Sequence, residues 1–298
     1  MAWVKDDIPV QNSKTAIVTG ANSGIGFQTA LSLAEKGAHV VLACRNQKKA
    51  DQAVANILVK HPEANCSVMQ LDLSRLSSVR DFAKVALSEL PRIDLLINNA
   101  GIMIPPHTIT EDGFELQFVT NHLGHFALTG LLLPRLLNTP NSRVVTVSSK
   151  AHNFGFINFD DLHRKRFYFA WEAYGQSKLA NLLFAFELDR RLQAAGHPTK
   201  SIAAHPGYTS TNITQHSPIV QFATKNVAQD TLTGALTTLR AATDPQAEGG
   251  SFWGPKHLFQ MAGPPVQVRS NRRSRNLSDA EKLWAVSERL SGVHFLSK

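Results

Sequence analysis

This chain of 298 residues has few cysteines and no long apolar runs. Its two cysteines, Cys44 and Cys66, cannot form a disulfide framework, which excludes a small disulfide-stapled secreted protein and fits a reducing compartment. The most apolar stretch, residues 131–137, is interrupted by a proline and an arginine, well short of the roughly 18 apolar residues that cross a bilayer. The N-terminus carries acids where a secretory signal has an apolar segment. We therefore expect a cytoplasmic protein with no membrane span.

Acidic residues are also in deficit, with 23 Asp and Glu against 31 Lys and Arg and a formal net charge of +8. Such a balance can serve nucleic-acid binding, and the basic side chains do cluster in two places. The clusters comprise Arg164, Lys165 and Arg166, and then Arg269, Arg272, Arg273 and Arg275. Because no nucleic-acid-binding motif accompanies them, we expect solvated loops and no nucleic-acid partner.

Short β-rich runs alternate with helical patterns along the chain from Lys14 onward. The predicted strands are residues 15–19, 39–43, 67–71, 93–97, 143–147, 201–204 and 251–253. The predicted helices are residues 27–36, 46–60, 74–90 with Ser74 as the cap, 174–195 and 218–242, and residues 111–137 contain one long helix or two abutting ones. This alternation predicts an α/β fold, a Rossmann-type doubly wound sheet of seven parallel strands with helices on both faces. No change in composition divides it, so we expect a single domain with an N-terminal tail, residues 1–13, and a C-terminal extension, residues 264–298.

A glycine-bearing turn joins the first predicted strand to the first helix. Gly20, Gly24 and Gly26 would let the backbone approach a pyrophosphate, held by the free amides and the positive dipole end of the helix. The spacing differs from the longer Gly-x-Gly-x-x-Gly fingerprint, and a plain tight connection is the alternative. Its place after the first strand of a βαβ unit favours a dinucleotide site.

Tyr174 and Lys178 stand four residues apart at the start of a long helical pattern. On a helix these two positions share one face, so the phenol and the ammonium project side by side. An adjacent cation stabilises a phenolate and lowers the phenol pKa, which would make Tyr174 a usable general acid or base. An exposed polar face is the alternative.

The end of the second predicted strand bears on which dinucleotide is bound. Residues 43–46 read Ala-Cys-Arg-Asn and lack the carboxylate that accepts from the adenosine ribose hydroxyls in NAD-binding proteins. The planar guanidinium of Arg45 can pair with a 2′-phosphate instead. The sequence therefore favours NADP(H), while NAD(H) stays an alternative if Arg45 only faces water.

Further motifs follow in order. They are residues 19–26 (Thr-Gly-Ala-Asn-Ser-Gly-Ile-Gly), Asp72, residues 98–101 (Asn-Asn-Ala-Gly), Asn121, Ser148 with Ser149, Tyr174 with Lys178, and Pro206 with Gly207. Together, over roughly residues 14–255, they resemble the short-chain dehydrogenase/reductase superfamily. Residues 43–46, 121–126 and 177–181 are similar to the branch that contains retinol dehydrogenases and WW-domain oxidoreductase.

The resemblance implies roles for individual residues. The catalytic set would be Asn121, Ser149, Tyr174 and Lys178, with Ser148 as the neighbouring candidate for the serine. The cofactor contacts would be Gly20, Asn22, Ser23, Gly24, Ile25, Gly26, Arg45, Asn46, Asp72, Leu73, Asn98, Ala100, Gly101, Tyr174, Lys178, Pro206, Gly207 and Thr209. Asn121 would anchor a water in a proton relay to Lys178. No metal is expected, and we interpret His122 and His125 as structural.

Two segments are candidates for the substrate side. Residues 151–173 form an aromatic-rich insertion that could roof an apolar pocket or pack on its own domain, and residues 208–222 are a candidate substrate lid. We expect an NADP(H)-dependent oxidoreductase acting on an apolar ketone, aldehyde or alcohol. The alternative is a dinucleotide-binding sensor or scaffold with incidental turnover. Retinol-metabolising relatives usually carry an N-terminal membrane segment, which we do not find in this sequence, so we do not expect retinoid turnover on a membrane. Assembly into a homo-oligomer is left open.

Overall fold

The sheet places the predicted strands side by side in one layer. The computed structural model describes residues 2–209 and 229–296. Its strands are β1 (Thr15–Thr19), β2 (His39–Cys44), β3 (Cys66–Gln70), β4 (Leu95–Asn98), β5 (Arg143–Val147), β6 (Lys200–Ala204), β7 (Phe252–His257) and β8 (Ala262–Gln267). Their spatial order is β3-β2-β1-β4-β5-β6-β7-β8, and β1 to β7 run parallel. The predicted seven-stranded parallel sheet is confirmed, with strand ends shifted by a few residues.

An eighth strand, β8, was not predicted and pairs antiparallel to β7 at the edge of the sheet. Its sequence, Ala-Gly-Pro-Pro-Val-Gln, contains two prolines, which cannot donate to a ladder and are confined to edge strands. The turn from β7 places Leu258, Phe259 and Gln260 at positive φ, a conformation that the sequence does not signal without glycine. The segment predicted as a C-terminal extension therefore begins inside the sheet.

Seven α-helices flank this sheet in the described residues. They are α1 (Gly24–Glu35), α2 (Gln47–Lys60), α3 (Leu76–Glu89), α4 (Gly124–Leu137), α5 (Ala170–Ala194), α6 (Thr231–Thr243) and α7 (Leu277–Ser291). A short helical turn, Leu116–Phe118, and a π-helical turn, Val119–Leu123, lead directly into α4. The predicted helix over residues 111–137 is thus one run that begins at Leu116, because residue 109 pairs with residue 115 in a β-bridge. The part of the predicted helix 218–242 before residue 229 lies outside the described residues.

The predicted serine cap on α3 is wrong. The hydroxyl of Ser74 donates to Oδ1 of Asp72 at 2.6 Å, and the residue at the cap position is Arg75, which makes no side-chain cap. The first helical amide, Leu76 N, instead donates to Asp112 at 2.8 Å. A distant carboxylate satisfies the free amide, and local sequence cannot indicate that.

The two faces of the sheet bury separate cores because successive strand residues point in opposite directions. Ala16 and Val18 lie in one core, which α1 and α6 cover, whereas Ile17 lies in the other with Phe126 of α4 and Leu188 of α5. Strands covered on both faces explain the nearly continuous apolar runs in the sequence. The helices therefore hold the sheet rigid from both sides.

The C-terminal helix α7 completes the second core. Trp284 packs against Phe126, Phe184 and Phe295 at ring-centroid distances of 5.1, 6.0 and 4.7 Å, and the guanidinium of Arg191 lies 4.3 Å from its ring. The C-terminal segment is consequently an integral part of one domain. Within residues 2–209 and 229–296, no helix is both long enough and apolar enough to cross a bilayer.

Candidate active site

The carboxyl ends of four neighbouring strands gather the motifs at one edge of the sheet. The glycine turn follows β1, the Asn-Asn-Ala-Gly motif follows β4, the serine pair follows β5, and Pro206 with Gly207 follows β6. In open parallel sheets this edge, at the point where strand order reverses, forms the binding crevice. Here the reversal falls between β1 and β4.

The glycine turn is packed too closely for any other residue at its third glycine. A Cβ on Gly26 would lie 2.4 Å from the carbonyl oxygen of Gly20 and 2.5 Å from Nδ2 of Asn99. Gly20 itself has φ +67° and donates its amide to Ala43 O at 2.8 Å. The turn is thereby pinned between the end of β2 and the Asn-Asn-Ala-Gly motif.

The N-terminus of α1 points its free amides into this turn. Ser23 occupies the cap position but makes no side-chain cap, so the amides that begin the helix at Gly24, Ile25 and Gly26 keep donors for a ligand. Ser23 is exposed and Asn22 is half-buried. Uncapped amides at the positive end of a helix suit a pyrophosphate, so this part of the site fits a dinucleotide.

Two residues that sequence reasoning did not assign, Thr19 and Asn99, clamp the turn. The Oγ1 of Thr19 accepts from the amides of Asn99 and Ala100, each at 2.9 Å. In return, Nδ2 of Asn99 donates to Thr19 O at 2.8 Å. Asn99 stands inside a quoted motif, and a polar residue at the last position of a buried strand is the signal that marks Thr19.

Asn98 turns the other way from Asn99. Its side chain is fully buried and donates to Oγ1 of Thr129 on α4 at 3.0 Å. Its predicted cofactor contact therefore has no support from its side-chain position. Ala100 packs against the core, and Gly101 lies next to Asn121 and Lys178.

The predicted adenosine end comprises residues after β2 and β3. Arg45 is exposed, and Oδ1 of Asn46 accepts from Lys49 N at 3.0 Å, which caps α2. Asp72 is half-buried, with Oδ1 accepting from Ser74 N at 3.0 Å, and Leu73 is buried. Arg45 is thus free to meet a phosphate at the surface, while Asn46 and Asp72 already serve local structure.

Tyr174 and Lys178 lie on one face of α5 and point into the same buried space. The Nζ of Lys178 lies 5.7 Å from the centre of the Tyr174 ring, and the two residues are 2% and 6% exposed, respectively. Tyr174 packs against Met103, Ile104 and Ala151. An exposed polar face, the alternative drawn from sequence, does not describe these side chains.

In the cofactor-free protein, burial is the main influence on the pKa values of Tyr174 and Lys178. It raises the pKa of Tyr174 to about 12, and only a hydrogen bond with Ser149 works in the opposite direction. It lowers the pKa of Lys178 to about 8. The expected lowering of the phenol pKa by Lys178 is therefore wrong for this structure, because burial of the phenol dominates and raises its pKa.

The two serines after β5 have different partners. The hydroxyl of Ser148 donates to the main-chain oxygen of Lys178 at 2.7 Å, a hydrogen bond that links β5 to α5. Ser149 hydrogen-bonds the side chain of Tyr174, and its Oγ accepts from Ala151 N at 3.2 Å. Alternation of side chains places Ser149, rather than Ser148, beside the phenol.

Asn121 lies within the π-helical turn before α4, an irregularity often found at functional sites. Its Oδ1 accepts from Ile102 N at 2.8 Å, and its Nδ2 donates to Ile102 O at 3.0 Å and to Ser177 Oγ at 2.9 Å. The residue before Ile102 is Gly101, on which a Cβ would lie 3.2 Å from Asn121 Oδ1 and 3.3 Å from Lys178 Nζ. The side chains of Asn121 and Lys178 therefore both lie next to Gly101.

Pro206, Gly207 and Thr209 follow β6 along the same edge. Gly207 has φ +73° and donates its amide to Nδ1 of His205 at 3.2 Å. The hydroxyl of Thr209 donates to Pro206 O at 3.1 Å, so it already has a partner within the protein. Residues 210–222 of the candidate substrate lid lie outside the described residues.

The aromatic-rich insertion, residues 151–173, divides between packing and exposure. The hydroxyl of Tyr168 donates to Pro105 O at 2.9 Å and accepts from Nε2 of Gln117 at 2.9 Å. Phe167, by contrast, is 72% exposed, and Phe154 and Phe169 are about half exposed. The insertion is anchored on its own domain beside Tyr174, with several rings left at the surface.

His122 and His125 are both buried and have separate partners. His122 pairs through Nε2 with Ser287 of α7 at 3.0 Å, and His125 pairs with Thr19 and with the main chain of Asn121. Across the described part of the chain, no three His, Cys, Asp or Glu side chains are placed to hold one metal ion.

Burial raises the pKa of the Cys44 thiol to about 11, so that residue is an inert packing group.

A doubly wound sheet with a glycine turn, a helix N-terminus and a buried tyrosine and lysine at its carboxyl edge defines a dinucleotide-dependent enzyme class. Residues 14–219 match the family model described as short chain dehydrogenase. The chain belongs to this family of oxidoreductases, which bind nicotinamide dinucleotides, and within it to the retinol dehydrogenase-like branch.

Individual relatives support that placement. The chain is 41% identical to human retinol dehydrogenase 12 over 285 residues, which span 95% of this chain and 87% of that protein. It is 49% identical to human retinol dehydrogenase 13 over 207 residues, 69% of this chain and 62% of that protein. A crystal structure of an uncharacterized protein from Mycobacterium paratuberculosis is 44% identical, with a TM-score of 0.84 and 99% of both chains covered.

Proposed function

We propose that this dehydrogenase moves a hydride between NADP(H) and an apolar ketone, aldehyde or alcohol, with Tyr174 as the acid or base. The observation that carries the proposal is that the buried phenol of Tyr174 lies beside both Ser149 and Lys178, with Asn121 and Gly101 next to the lysine. A protein that only binds a dinucleotide needs the glycine turn but not this proton-handling group.

The residues of the chain divide the work of carbonyl reduction. A bound nicotinamide supplies the hydride. Ser149 and Tyr174 donate hydrogen bonds to the substrate oxygen, which stabilises the negative charge that develops there. The phenol of Tyr174 then gives its proton to that oxygen and closes the reaction as general acid.

Lys178, next to the phenol, supports this proton transfer. Its ammonium donates to Val147 O at 3.2 Å, and its two remaining protons suit the ribose hydroxyls next to the nicotinamide. A positive charge there stabilises Tyr174 as it loses its proton. With a phenol pKa of about 12, Tyr174 is protonated at neutral pH, so the resting enzyme is prepared for reduction.

Arg45 supports NADP(H) over NAD(H). It is exposed at the end of β2, and residues 43–46 carry no acid that would repel a 2′-phosphate. A guanidinium recognises such a phosphate through paired hydrogen bonds. We propose that it makes this contact.

An apolar substrate is supported by what surrounds Tyr174. Met103, Ile104 and Ala151 line the phenol, and the exposed rings of the insertion begin a few residues away. The named relatives are retinol dehydrogenases, so retinal and retinol belong among the compounds tested. A cytoplasmic setting, expected from the sequence, stays a prediction.

The test is consumption of NADPH with a panel of apolar aldehydes and ketones, retinal included, by the parent and by Tyr174→Phe. We expect the parent to reduce at least one compound and the variant to lose that activity while still binding NADPH. Equal consumption by the two proteins would remove Tyr174 from the chemistry and favour a dinucleotide sensor.

A further inference from the structure

A buried hydrogen-bonded chain joins the cofactor turn to Asn121 through an imidazole. His125, in the first turn of α4, is 1% exposed. Its Nδ1 lies 3.0 Å from Asn121 O, and its Nε2 lies 2.9 Å from Oγ1 of Thr19. These two partners belong to different motifs of the site.

The partners fix which ring nitrogen carries the proton. A carbonyl oxygen can only accept, so Nδ1 of His125 carries the hydrogen and donates to Asn121 O. The Oγ1 of Thr19 already accepts from the amides of Asn99 and Ala100, so its hydroxyl proton is directed to Nε2. With the proton on Nε2 instead, Nδ1 would have no hydrogen to donate and the bond to Asn121 O would be lost.

Charge on His125 is disfavoured in this position. The groups that face it are Lys178 and His122, together with the hydroxyl of Thr19 and the main chain of Asn121. Burial, with a smaller contribution from the charge on Lys178, lowers the pKa of His125 to about 4, although the hydrogen bond with Asn121 O works in the opposite direction. The imidazole is therefore a neutral, fixed connector at physiological pH.

We propose that His125 is a positioning residue that holds the Asn121 peptide in register with the cofactor turn, so that Asn121, Gly101 and Lys178 keep their mutual geometry during proton transfer. The inference rests on the proposed function. It concerns a residue that sequence reasoning assigned to structure alone.

The two ends of the connector differ in how they respond to its loss. Thr19 has a second acceptor, Ile97 O at 3.3 Å, to which its hydroxyl can turn while it keeps Asn99 and Ala100 in place. Asn121 O loses the side-chain donor that it has within the π-helical turn. We therefore expect cofactor binding to survive and turnover to fall.

The kinetic experiment uses His125→Phe, with His122→Phe as the matched control. His122 is equally buried, packs among Phe118, Phe126 and Phe184, and pairs through Nε2 with Ser287 of α7 instead of with Thr19 or the Asn121 main chain. It faces His125 and Asn181, so it controls for loss of a buried imidazole in the same region. We expect His125→Phe to lower kcat about tenfold or more, since small misplacement of catalytic groups is costly, with NADPH Kd changed less than about threefold. His125→Asn, which keeps a donor near the Nδ1 position, should recover part of kcat.

Three kinetic outcomes would overturn the inference. They are parent-like kcat in His125→Phe, equal losses in the two phenylalanine variants, or loss of NADPH affinity in parallel with kcat. If His125→Phe does not fold, the comparison of His125→Asn with His122→Phe decides. In the same assay, Tyr174→Phe tests the proposed function separately, because only that function predicts its inactivity.

A second measurement needs no turnover. Nitrogen NMR of isotope-labelled histidine in the cofactor-free protein, assigned by loss of the signal in His125→Asn, reports the tautomer directly. We expect a neutral ring protonated at Nδ1 that does not titrate down to about pH 5. A ring protonated at Nε2, or one that titrates near its ordinary pKa of 6.5, would overturn the inference even if the enzyme reduces every compound offered.

Discussion

The Nζ of Lys178 donates to the main-chain oxygen of Val147 at 3.2 Å, which ties the lysine of the Tyr174–Lys178 pair to the last residue of β5. Nδ2 of Asn181, one turn further along α5, donates to the same oxygen at 3.1 Å. An ammonium that is 2% exposed and holds this single acceptor among the described residues is poorly solvated. The protein therefore sacrifices stability to keep a cation at the site.

Replacing Lys178 by methionine should expose this trade between stability and activity. Because burial lowers the pKa from 10.5 to about 8, the charged form destabilises the fold below about pH 8. We expect Lys178→Met to raise the Tm of the cofactor-free protein by several degrees at pH 7 and to lower kcat by about 100-fold or more. Thermal scans and NADPH consumption measure the two effects.

The Tm difference should itself depend on pH. The unfolded lysine stays protonated up to about pH 10.5, whereas the folded one loses its proton near pH 8, so the penalty shrinks as the pH rises between these values. The advantage of Lys178→Met should narrow over this interval. A variant less stable than the parent at pH 7 would show that Lys178 is well solvated after all.

Carbonyl reduction should decline as the pH rises through about 8. Below that pH Lys178 carries the charge that assists Tyr174, and above it the charge is lost. The phenol, with a pKa of about 12, stays protonated over this pH range and does not cause the decline in rate. Profiles of kcat at saturating NADPH measure it, and a rate unchanged up to pH 10 would contradict the assigned role of Lys178.

The adjacent serines provide a matched pair of substitutions. Ser149→Ala removes the hydroxyl beside Tyr174, so we expect kcat to fall about 100-fold, as for other stabilising donors at an oxyanion. Ser148→Ala removes the bond to Lys178 O, which should lower stability by about 1 kcal/mol and leave kcat within about threefold. Equal kinetic losses in both variants would mean that the two hydroxyls are not distinguished by the site.

Arg45 should decide the choice of cofactor. We expect Arg45→Asp to weaken NADPH binding at least tenfold and to improve NADH binding, because the carboxylate repels a 2′-phosphate and accepts from ribose hydroxyls. Equilibrium Kd values for both cofactors measure the change. If the ratio of the two Kd values is the same in the parent and the variant, Arg45 does not contact the 2′-phosphate.

Much of the fold could be predicted because its signals are local. Continuous β-branched runs such as residues 143–147 mark strands buried on both faces, and the parallel sheet follows from their alternation with helices. What could not be predicted depends on distant contacts. Asp112 supplies the amide partner at the start of α3, and β8 forms from a proline-containing segment only because β7 offers an edge.

The site shows the same division. The spacing of Tyr174 and Lys178 predicts that they share a helix face, and the structure places them so. Their pKa values were not predictable, because burial inside the folded protein outweighs the neighbouring charge. The clamp of Thr19 on Asn99 and the contact of His125 with Thr19 join residues that are 80 and 106 positions apart in the sequence, which no local pattern reports.

The central claim is that Tyr174 donates the proton to a carbonyl substrate. A single-turnover measurement of NADPH oxidation, with enzyme in excess over an apolar aldehyde, tests it most directly in the parent and in Tyr174→Phe. We predict an unchanged NADPH Kd and a first-turnover rate reduced by about 100-fold to 10,000-fold in the variant, the usual contribution of a general acid. A first turnover as fast as that of the parent would contradict the account.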